Sequence, residues 1–165
     1  MIEQIEQKDA VKNFSINNLR IEKNKLTADE FIYLRKFGPF IEYRKEDVEA
    51  ALKTSLFTVA LYDEDILVGI ARIVGDGKIV FFIKDVAVNP LYKGKKIGVL
   101  IMKELFKFIE SHACINAYIA LMATPNTEGF YEKFGFIRRP NELHGAGMVM
   151  YYKGGKIYEE NSSVR

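Results

Sequence analysis

A basic, glycine-containing segment in the middle of the chain has the residue types that bind a phosphate. It lies between a predicted strand and a predicted helix and reads Lys93-Gly94-Lys95-Lys96-Ile97-Gly98. The first backbone N–H groups of a helix lack intrahelical partners and carry the positive end of the helix dipole, so they attract anions. Three lysines beside them suit a pyrophosphate and a further ribose phosphate. A solvated basic loop that precedes a helix explains the same spacing equally well.

Other reactive residue types are scattered along the sequence. Cys114 is the only cysteine, so it cannot form an internal disulfide, and an apolar setting predicts a buried thiol. His112 ends a predicted helix, where the helix dipole accounts for it without chemistry. The two histidines, His112 and His144, and Cys114 do not form a metal-ligand spacing, and no Ser or Cys nucleophile motif is present. We therefore expect no metal.

Length and charge indicate one folded domain. The chain has 165 residues, with 24 Lys plus Arg against 22 Asp plus Glu. A net charge of +2 argues against broad binding to nucleic acid or a membrane. No apolar run approaches the ~20 residues that span a bilayer, and the charged start, residues 1–10, has no apolar core of the kind that a signal peptide contains, so export is not expected. We expect a domain at 1–152, a weakly ordered tail at 153–165, and a cytoplasmic protein.

The positions of the elements follow from hydrophobic periodicity and turn residues. A capping box at Thr27 and Glu30 opens a helix that Gly38-Pro39 stops, and a short helix follows at 46–53. Strands are predicted at 13–21, 56–62, 66–74, 78–88, 117–122, 136–138 and 148–152. An amphipathic helix is predicted at 97–109 and a short helix at 127–134. This order predicts a mixed sheet covered by helices.

Two segments carry a resemblance to a known family. The run Lys84-Asp85-Val86-Ala87-Val88-Asn89-Pro90-Leu91-Tyr92-Lys93-Gly94-Lys95-Lys96-Ile97-Gly98 resembles the acetyl-CoA motif of the Gcn5-related N-acetyltransferases, the GNAT superfamily. Asn126, followed by Gly129-Phe130-Tyr131-Glu132-Lys133-Phe134-Gly135-Phe136, resembles its second signature. The family pattern is Gln/Arg-x-x-Gly-x-Gly/Ala. This chain has Lys93 at the first position and Lys96 where the first glycine is usual, and it keeps Gly98.

The resemblance implies a fold, a cofactor and an activity. The fold is α/β, a predominantly antiparallel mixed sheet with one parallel, splayed strand pair and helices on both faces. The activity is direct transfer of an acetyl group from acetyl-CoA (coenzyme A) to an amine, without a covalent enzyme intermediate. The resemblance assigns cofactor binding to Val86, Ala87, Val88, Lys93, Gly94, Lys95, Lys96, Ile97, Gly98, Val99, Asn126, Phe130, Tyr131 and Lys133.

Tyr131 and Asp85 are the candidate catalytic residues. By carry-over from the family, the Tyr131 phenol, whose ordinary pKa is about 10, protonates the departing thiolate. Asp85 interrupts an apolar strand, where an unpaired buried carboxylate is costly. It is either the base that accepts a proton from the amine or the partner of Lys84 or Arg72 in a salt bridge. The sequence leaves both roles open.

Candidates for the acceptor site are Glu30, Glu46, Asp85 and His144. The family places its acceptor pocket beside the helices that carry the two glutamates, and His144 is a second candidate base. Solvation explains both glutamates and His144 equally well. The expected acceptor is a small amine such as a polyamine, an amino sugar or an arylalkylamine, and a peptide amine stays open.

Two other functions are hypotheses from the sequence. One is a non-catalytic acyl-CoA sensor, and the other is an RNA-binding patch at the three lysines, although that segment lacks the interleaved aromatic residues that stack on bases. A homodimer stays open.

Overall fold

The fold is described from a computed structural model, which places residues 14–152 and residue 154. The described residues form two compact units, one ending at Thr124 and one beginning at Pro125. The first unit contains the whole sheet and three helices. The second contains one short helix, and we describe each unit by itself.

Within the described residues, five strands form one sheet in the order β1-β2-β3-β4-β5. The first four strands are antiparallel neighbours, whereas β4 and β5 are parallel. The predicted mixed sheet with one parallel pair is therefore confirmed. The strands are β1 (Arg20–Lys23), β2 (Phe57–Asp63), β3 (Ile66–Gly75), β4 (Val80–Val88) and β5 (Tyr118–Ala120).

Helices cover both faces of this sheet. Phe31 and Leu34 of α1 and Val48 of α2 pack with Ile70 and Ala87 in one buried cluster. The long helix α3 packs on the other face, where a Cβ on Gly69 would meet the side chains of two α3 isoleucines at 2.8 Å. None of the helices in the described part of the chain could cross a membrane. The helices are α1 (Ala28–Arg35), α2 (Lys45–Lys53), α3 (Ile97–His112) and, in the second unit, α4 (Glu128–Glu132).

Local side-chain chemistry fixes the ends of these elements. The Thr27 hydroxyl accepts a hydrogen bond from the Glu30 N–H, and the Glu30 carboxylate accepts one from the Thr27 N–H at 2.9 Å. This confirms the predicted capping box. In the turn between β3 and β4, Asp76 Oδ1 accepts hydrogen bonds from three backbone N–H groups. These bonds hold the turn that pairs β3 with β4.

Strand β4 contains one extra residue relative to β3. The pairing shifts between Ile70, which faces Ala87, and Arg72, which faces Lys84, so Asp85 and Val86 together oppose one residue. Asp85 has φ of 56°, in the left-handed region that glycine usually occupies at such a bulge. The bulge bends β4 and changes which side chains point to each face.

Three of the sequence predictions need correction. The first strand was expected at 13–21, of which residue 13 lies outside the described part. The structure instead has a 3-10 turn at Ile16–Asn18, closed by Asn18 N–H donating to Ser15 O at 3.0 Å, and β1 begins only at Arg20. The strands expected at 136–138 and 148–152 are wrong: no strand lies there. Asn141 Oδ1 accepts hydrogen bonds from the N–H groups of Leu143 and His144, and Pro140 has no donor, so this backbone bonds locally.

Candidate functional site

The basic turn, residues 93–99, is anchored to the core by the two polar side chains that precede it. Tyr92 is fully buried, and its hydroxyl donates a hydrogen bond to Asp63 Oδ2 at 2.9 Å. Asn89 is also buried; its Oδ1 accepts from Leu91 N–H at 3.1 Å and its N–H donates to Val68 O at 2.9 Å. The start of α3 is therefore held in a fixed position against β2 and β3.

The start of α3 presents free backbone donors. Lys96 is the residue before the helix, and its side chain makes no capping hydrogen bond. Within residues 14–152, the N–H groups of Ile97, Gly98 and Val99 have no hydrogen-bond partner. Gly94 has φ of 80° and open space where a Cβ would stand. The three lysines of the turn are exposed. These donors and charges fit a pyrophosphate.

Lys96 itself has φ of 63° and ψ of 15°, the left-handed conformation. This is the position where the family pattern has its first glycine, which adopts that conformation at little cost. The departure from the family pattern is therefore a strained lysine in a glycine conformation. The backbone N–H keeps the direction that glycine would give it.

The pairing between the parallel strands β4 and β5 is short. Within the described residues they pair only from Val80 with Tyr118 to Phe82 with Ala120. Along an antiparallel strand, every second residue directs its N–H and C=O groups to the partner strand. Asn89 N–H donates to Val68 O, so Ala87, two residues earlier, also directs its backbone groups to β3. Val86 and Val88 therefore direct their N–H and C=O groups to the open side, as a ligand along β4 requires.

Asp85 lies in a buried group of charges that we call the arginine cluster: Arg35, Arg72 and Asp85. Arg72 Nε donates to Asp85 Oδ2 at 2.6 Å, and Arg35 Nε lies 3.4 Å from Asp85 Oδ1. The Asp85 side chain is 5% exposed. The salt bridge to Arg72, one of the alternatives from sequence, is present, whereas Lys84 Nζ lies 5.9 Å from the Phe82 ring instead.

Sequence reasoning missed Arg35. Its guanidinium is buried and lies 4.7, 4.8 and 5.1 Å from the rings of Phe31, Phe40 and Tyr43. The available signal was its position: Arg35 follows the buried Phe31 by four residues, which places both on one face of α1. An arginine on the apolar stripe of a helix predicts a buried partner.

The two glutamates of the expected acceptor site have different surroundings. Glu30 is occupied by the capping box and also accepts a short hydrogen bond from the Tyr62 hydroxyl. Burial and this carboxylate together raise the pKa of Tyr62. Glu46 is exposed in the first turn of α2. The Glu30 carboxylate thus accepts its hydrogen bonds from within the protein, and its role is structural without a ligand.

The remaining predicted site residues lie in the second unit. Tyr131 is on α4, with its ring centroid 5.0 Å from that of Phe130 and 6.2 Å from that of Phe136. Burial raises the pKa of the Tyr131 phenol above its ordinary value, so the hydroxyl keeps its proton to higher pH. Asn126 has φ of 69° and Lys133 is exposed. His144 is exposed, with Nδ1 at 3.1 Å from Asn141 Oδ1.

The fold and the basic turn define a mixed-sheet domain in which a helix that begins with free backbone donors follows a strand of the parallel pair. A family profile described as the acetyltransferase (GNAT) domain matches residues 19–151. The chain belongs to the GNAT acetyltransferase family.

Individual relatives agree with this assignment. A solved structure of a probable acetyltransferase from methicillin-resistant Staphylococcus aureus is 35% identical, covers 81% of this chain and 99% of its own, and superposes with a TM-score of 0.74. The uncharacterised N-acetyltransferase ycf52 of Porphyra purpurea is 32% identical over 59% of this chain and 58% of its own length. Serotonin N-acetyltransferase 2 of Oryza sativa, named as chloroplastic, is 31% identical over 58% and 46%. The chain thus spans about half the length of the curated relatives it matches.

Proposed function

We propose that this protein transfers an acetyl group from acetyl-CoA to the nitrogen of a small amine. The observation that carries the proposal is the start of α3, where three backbone N–H groups without a partner among residues 14–152 follow an exposed, lysine-rich turn. These groups suit the pyrophosphate of coenzyme A. When bound, the thioester supplies an activated acetyl group. Lys93, Gly94, Lys95 and Lys96 of the turn, with Ile97 to Val99 of α3, would hold the phosphates.

The backbone of β4 would hold the acyl end. The outward N–H and C=O groups of Val86 and Val88 can bind the pantetheine arm, and one N–H can polarise the thioester carbonyl. The amine nitrogen then attacks the carbonyl carbon, and the carbon–sulfur bond breaks. Tyr131 Oη donates its proton to the thiolate, and its raised pKa keeps that proton available at neutral pH. Asn126, Phe130 and Lys133 belong to the same second signature.

The proton lost by the amine needs an acceptor. Asp85 as the base stays a prediction, but its two arginine partners engage the carboxylate and favour the salt-bridge role. We propose instead that solvent water, or His144 as second choice, removes the proton.

The name of the rice relative supports a small-molecule acceptor. Location in the cytoplasm stays a prediction, and that relative is named as chloroplastic.

Thiol release tests the activity directly. Full-length protein is mixed with acetyl-CoA and a panel of amines, and free thiol is measured with a chromogenic disulfide; calorimetry with coenzyme A measures binding separately. We expect Tyr131→Phe to keep cofactor affinity and to lose turnover by about 10²-fold or more, because the acid is missing. Tyr33→Phe, which changes an exposed tyrosine of α1, is the matched control.

Three outcomes separate the hypotheses. Cofactor binding without thiol release for any amine would favour the non-catalytic sensor. Absence of any heat of mixing with coenzyme A would refute the whole proposal. Unchanged turnover in Tyr131→Phe would remove this tyrosine from the mechanism but leave the activity in place.

A further inference from the structure

The arginine cluster carries more positive than negative charge. It contains two guanidinium groups and one carboxylate, with side-chain exposures of 9% for Arg35, 15% for Arg72 and 5% for Asp85. A buried excess charge is costly unless a counter-ion or strong dipoles offset it. Within the described residues no second acidic side chain forms a salt bridge with either arginine.

One donor of the cluster has no hydrogen-bond partner among the described residues, and two others have neutral partners. Arg35 Nε is buried and makes no hydrogen bond, although it lies 3.4 Å from the Asp85 carboxylate. Arg35 Nη2 donates to a neutral acceptor, the Ile41 carbonyl, at 3.1 Å. Arg72 Nη1 has a long contact of 3.4 Å to Ser55 Oγ. Since a guanidinium has five N–H donors, the cluster keeps capacity for another acceptor.

Aromatic rings surround the excess charge. Phe31, Phe40 and Tyr43 lie within 5.1 Å of the Arg35 guanidinium carbon, and Phe31 also lies 5.6 Å from that of Arg72. These rings stabilise a cation and exclude water, which strengthens any further interaction with an anion. They also offer a competing explanation, in which the rings alone hold the arginines for structural reasons.

The cluster is adjacent to the segment that would hold the thioester. Asp85 is the bulge residue of β4 and directly precedes Val86, whose backbone faces the open side of the strand. A ligand group bound by the two arginines therefore lies beside the proposed reaction centre. Arg35 belongs to α1, and Phe40 and Tyr43 to the connection before α2, so the surroundings of the cluster include both of these segments as well as β3 and β4.

We propose that the arginine cluster binds a carboxylate carried by the acceptor, so that the substrate is an amino acid or a similar amine with a negative group. This rests on the proposed function, which it narrows. A carboxylate matches the geometry of a guanidinium, and its single charge balances the net charge of +1 that one aspartate leaves on two arginines. A phosphate dianion would overcompensate that charge.

Matched pairs of acceptors test the proposal with the full-length protein. The pairs are phenylalanine with 2-phenylethylamine and lysine with cadaverine, and O-phosphoethanolamine with ethanolamine is the phosphate arm. The measured quantity is the ratio of kcat/KM within each pair, from thiol release with acetyl-CoA. We expect the carboxylate-bearing member to be preferred by about tenfold or more, as one charge-assisted hydrogen bond gives.

Variants of the cluster distinguish substrate binding from a structural role. Arg35→Met and Arg72→Gln should each reduce the preference about tenfold, mainly through KM, whereas Arg35→Lys should restore part of it. Asp85→Asn raises the cluster charge by one and should strengthen the preference, a change that purely structural arginines would not produce. Arg44→Gln, which removes an exposed arginine before α2, is the matched control.

The outcomes separate this inference from the proposed function. If coenzyme A binds and uncharged amines are acetylated without any preference for a carboxylate, the inference is wrong and the activity stands. Preference for the phosphate member alone also overturns it. If Arg35→Met does not fold, the test rests on the kcat/KM ratios of the wild type and of Arg72→Gln for the same acceptor pairs. If coenzyme A does not bind, the proposed function fails first, and the inference fails with it.

Discussion

Replacement of Lys96 by glycine tests the geometry of the basic turn. Lys96 has φ of 63°, a conformation that costs a residue with a Cβ about 1–2 kcal/mol. Glycine removes this cost but loses about 0.5–1 kcal/mol more conformational entropy on folding. The expected net effect of Lys96→Gly is a gain of about 0.5–1 kcal/mol in the free energy of unfolding. For a chain of this size that corresponds to a rise of about 1–4 °C in Tm.

Lys96→Ala separates conformation from charge. Both variants lose the same positive charge beside Lys93 and Lys95, but alanine keeps the Cβ and its strain. Urea unfolding should therefore show Lys96→Gly to be more stable than Lys96→Ala by about 1 kcal/mol. Calorimetry with coenzyme A adds a second comparison: if the Cβ crowds the pyrophosphate, the glycine variant binds more tightly than the alanine variant. A glycine variant no more stable than the alanine variant would refute the argument from backbone strain.

Two further predictions concern the supports of the site and the sheet. Tyr92→Phe removes the hydroxyl that donates to Asp63 and leaves a buried carboxylate without this partner. Urea unfolding should therefore show a loss of about 1–3 kcal/mol in the free energy of unfolding, and calorimetry should show a weaker affinity for coenzyme A. Unchanged values for both would show that the turn does not depend on this anchor. The backbone N–H of Val80, with those of Lys78 and Ile79, lowers the pKa of Asp76. A lowered folded pKa gives stability that is present above the ordinary value of 3.8 and is lost as pH falls through the folded pKa. Asp76→Asn keeps an acceptor oxygen without the titration, so its stability should fall less than that of the wild type on acidification below pH ~4; equal acid sensitivity would contradict this.

The local elements of the fold were predictable because short-range chemistry determines them. The capping box at Thr27 and Glu30 and the apolar stripe of α3 are patterns within one or a few turns of helix, and both are present. The basic turn was predictable for the same reason. The proposal that this turn binds a cofactor came from the family resemblance, since spacing alone left a solvated loop as an equal alternative.

The arginine cluster was only partly predictable because it depends on contacts between distant residues. A bond between Arg72 and Asp85 was one of the alternatives, since both lie in neighbouring strands. Arg35 comes from a helix fifty residues before Asp85, and sequence periodicity gives no distance between such elements. The strands expected at 136–138 and 148–152 failed for a related reason. A β-rich run becomes a strand only with a partner in register, and propensity does not supply that partner.

The extra residue in β4 also determines how mutations along that strand must be interpreted. Before the bulge, Ile83 pairs with Ile73 and lies on the same face as Gly69, beneath α3; after it, Ala87 pairs with Ile70 and belongs to the cluster beneath α1. Two odd-numbered positions of β4 only four residues apart, 83 and 87, therefore lie on opposite faces of the sheet. A scanning library or an alignment that assumes unbroken alternation through β4 would exchange the two layers at every position beyond Asp85.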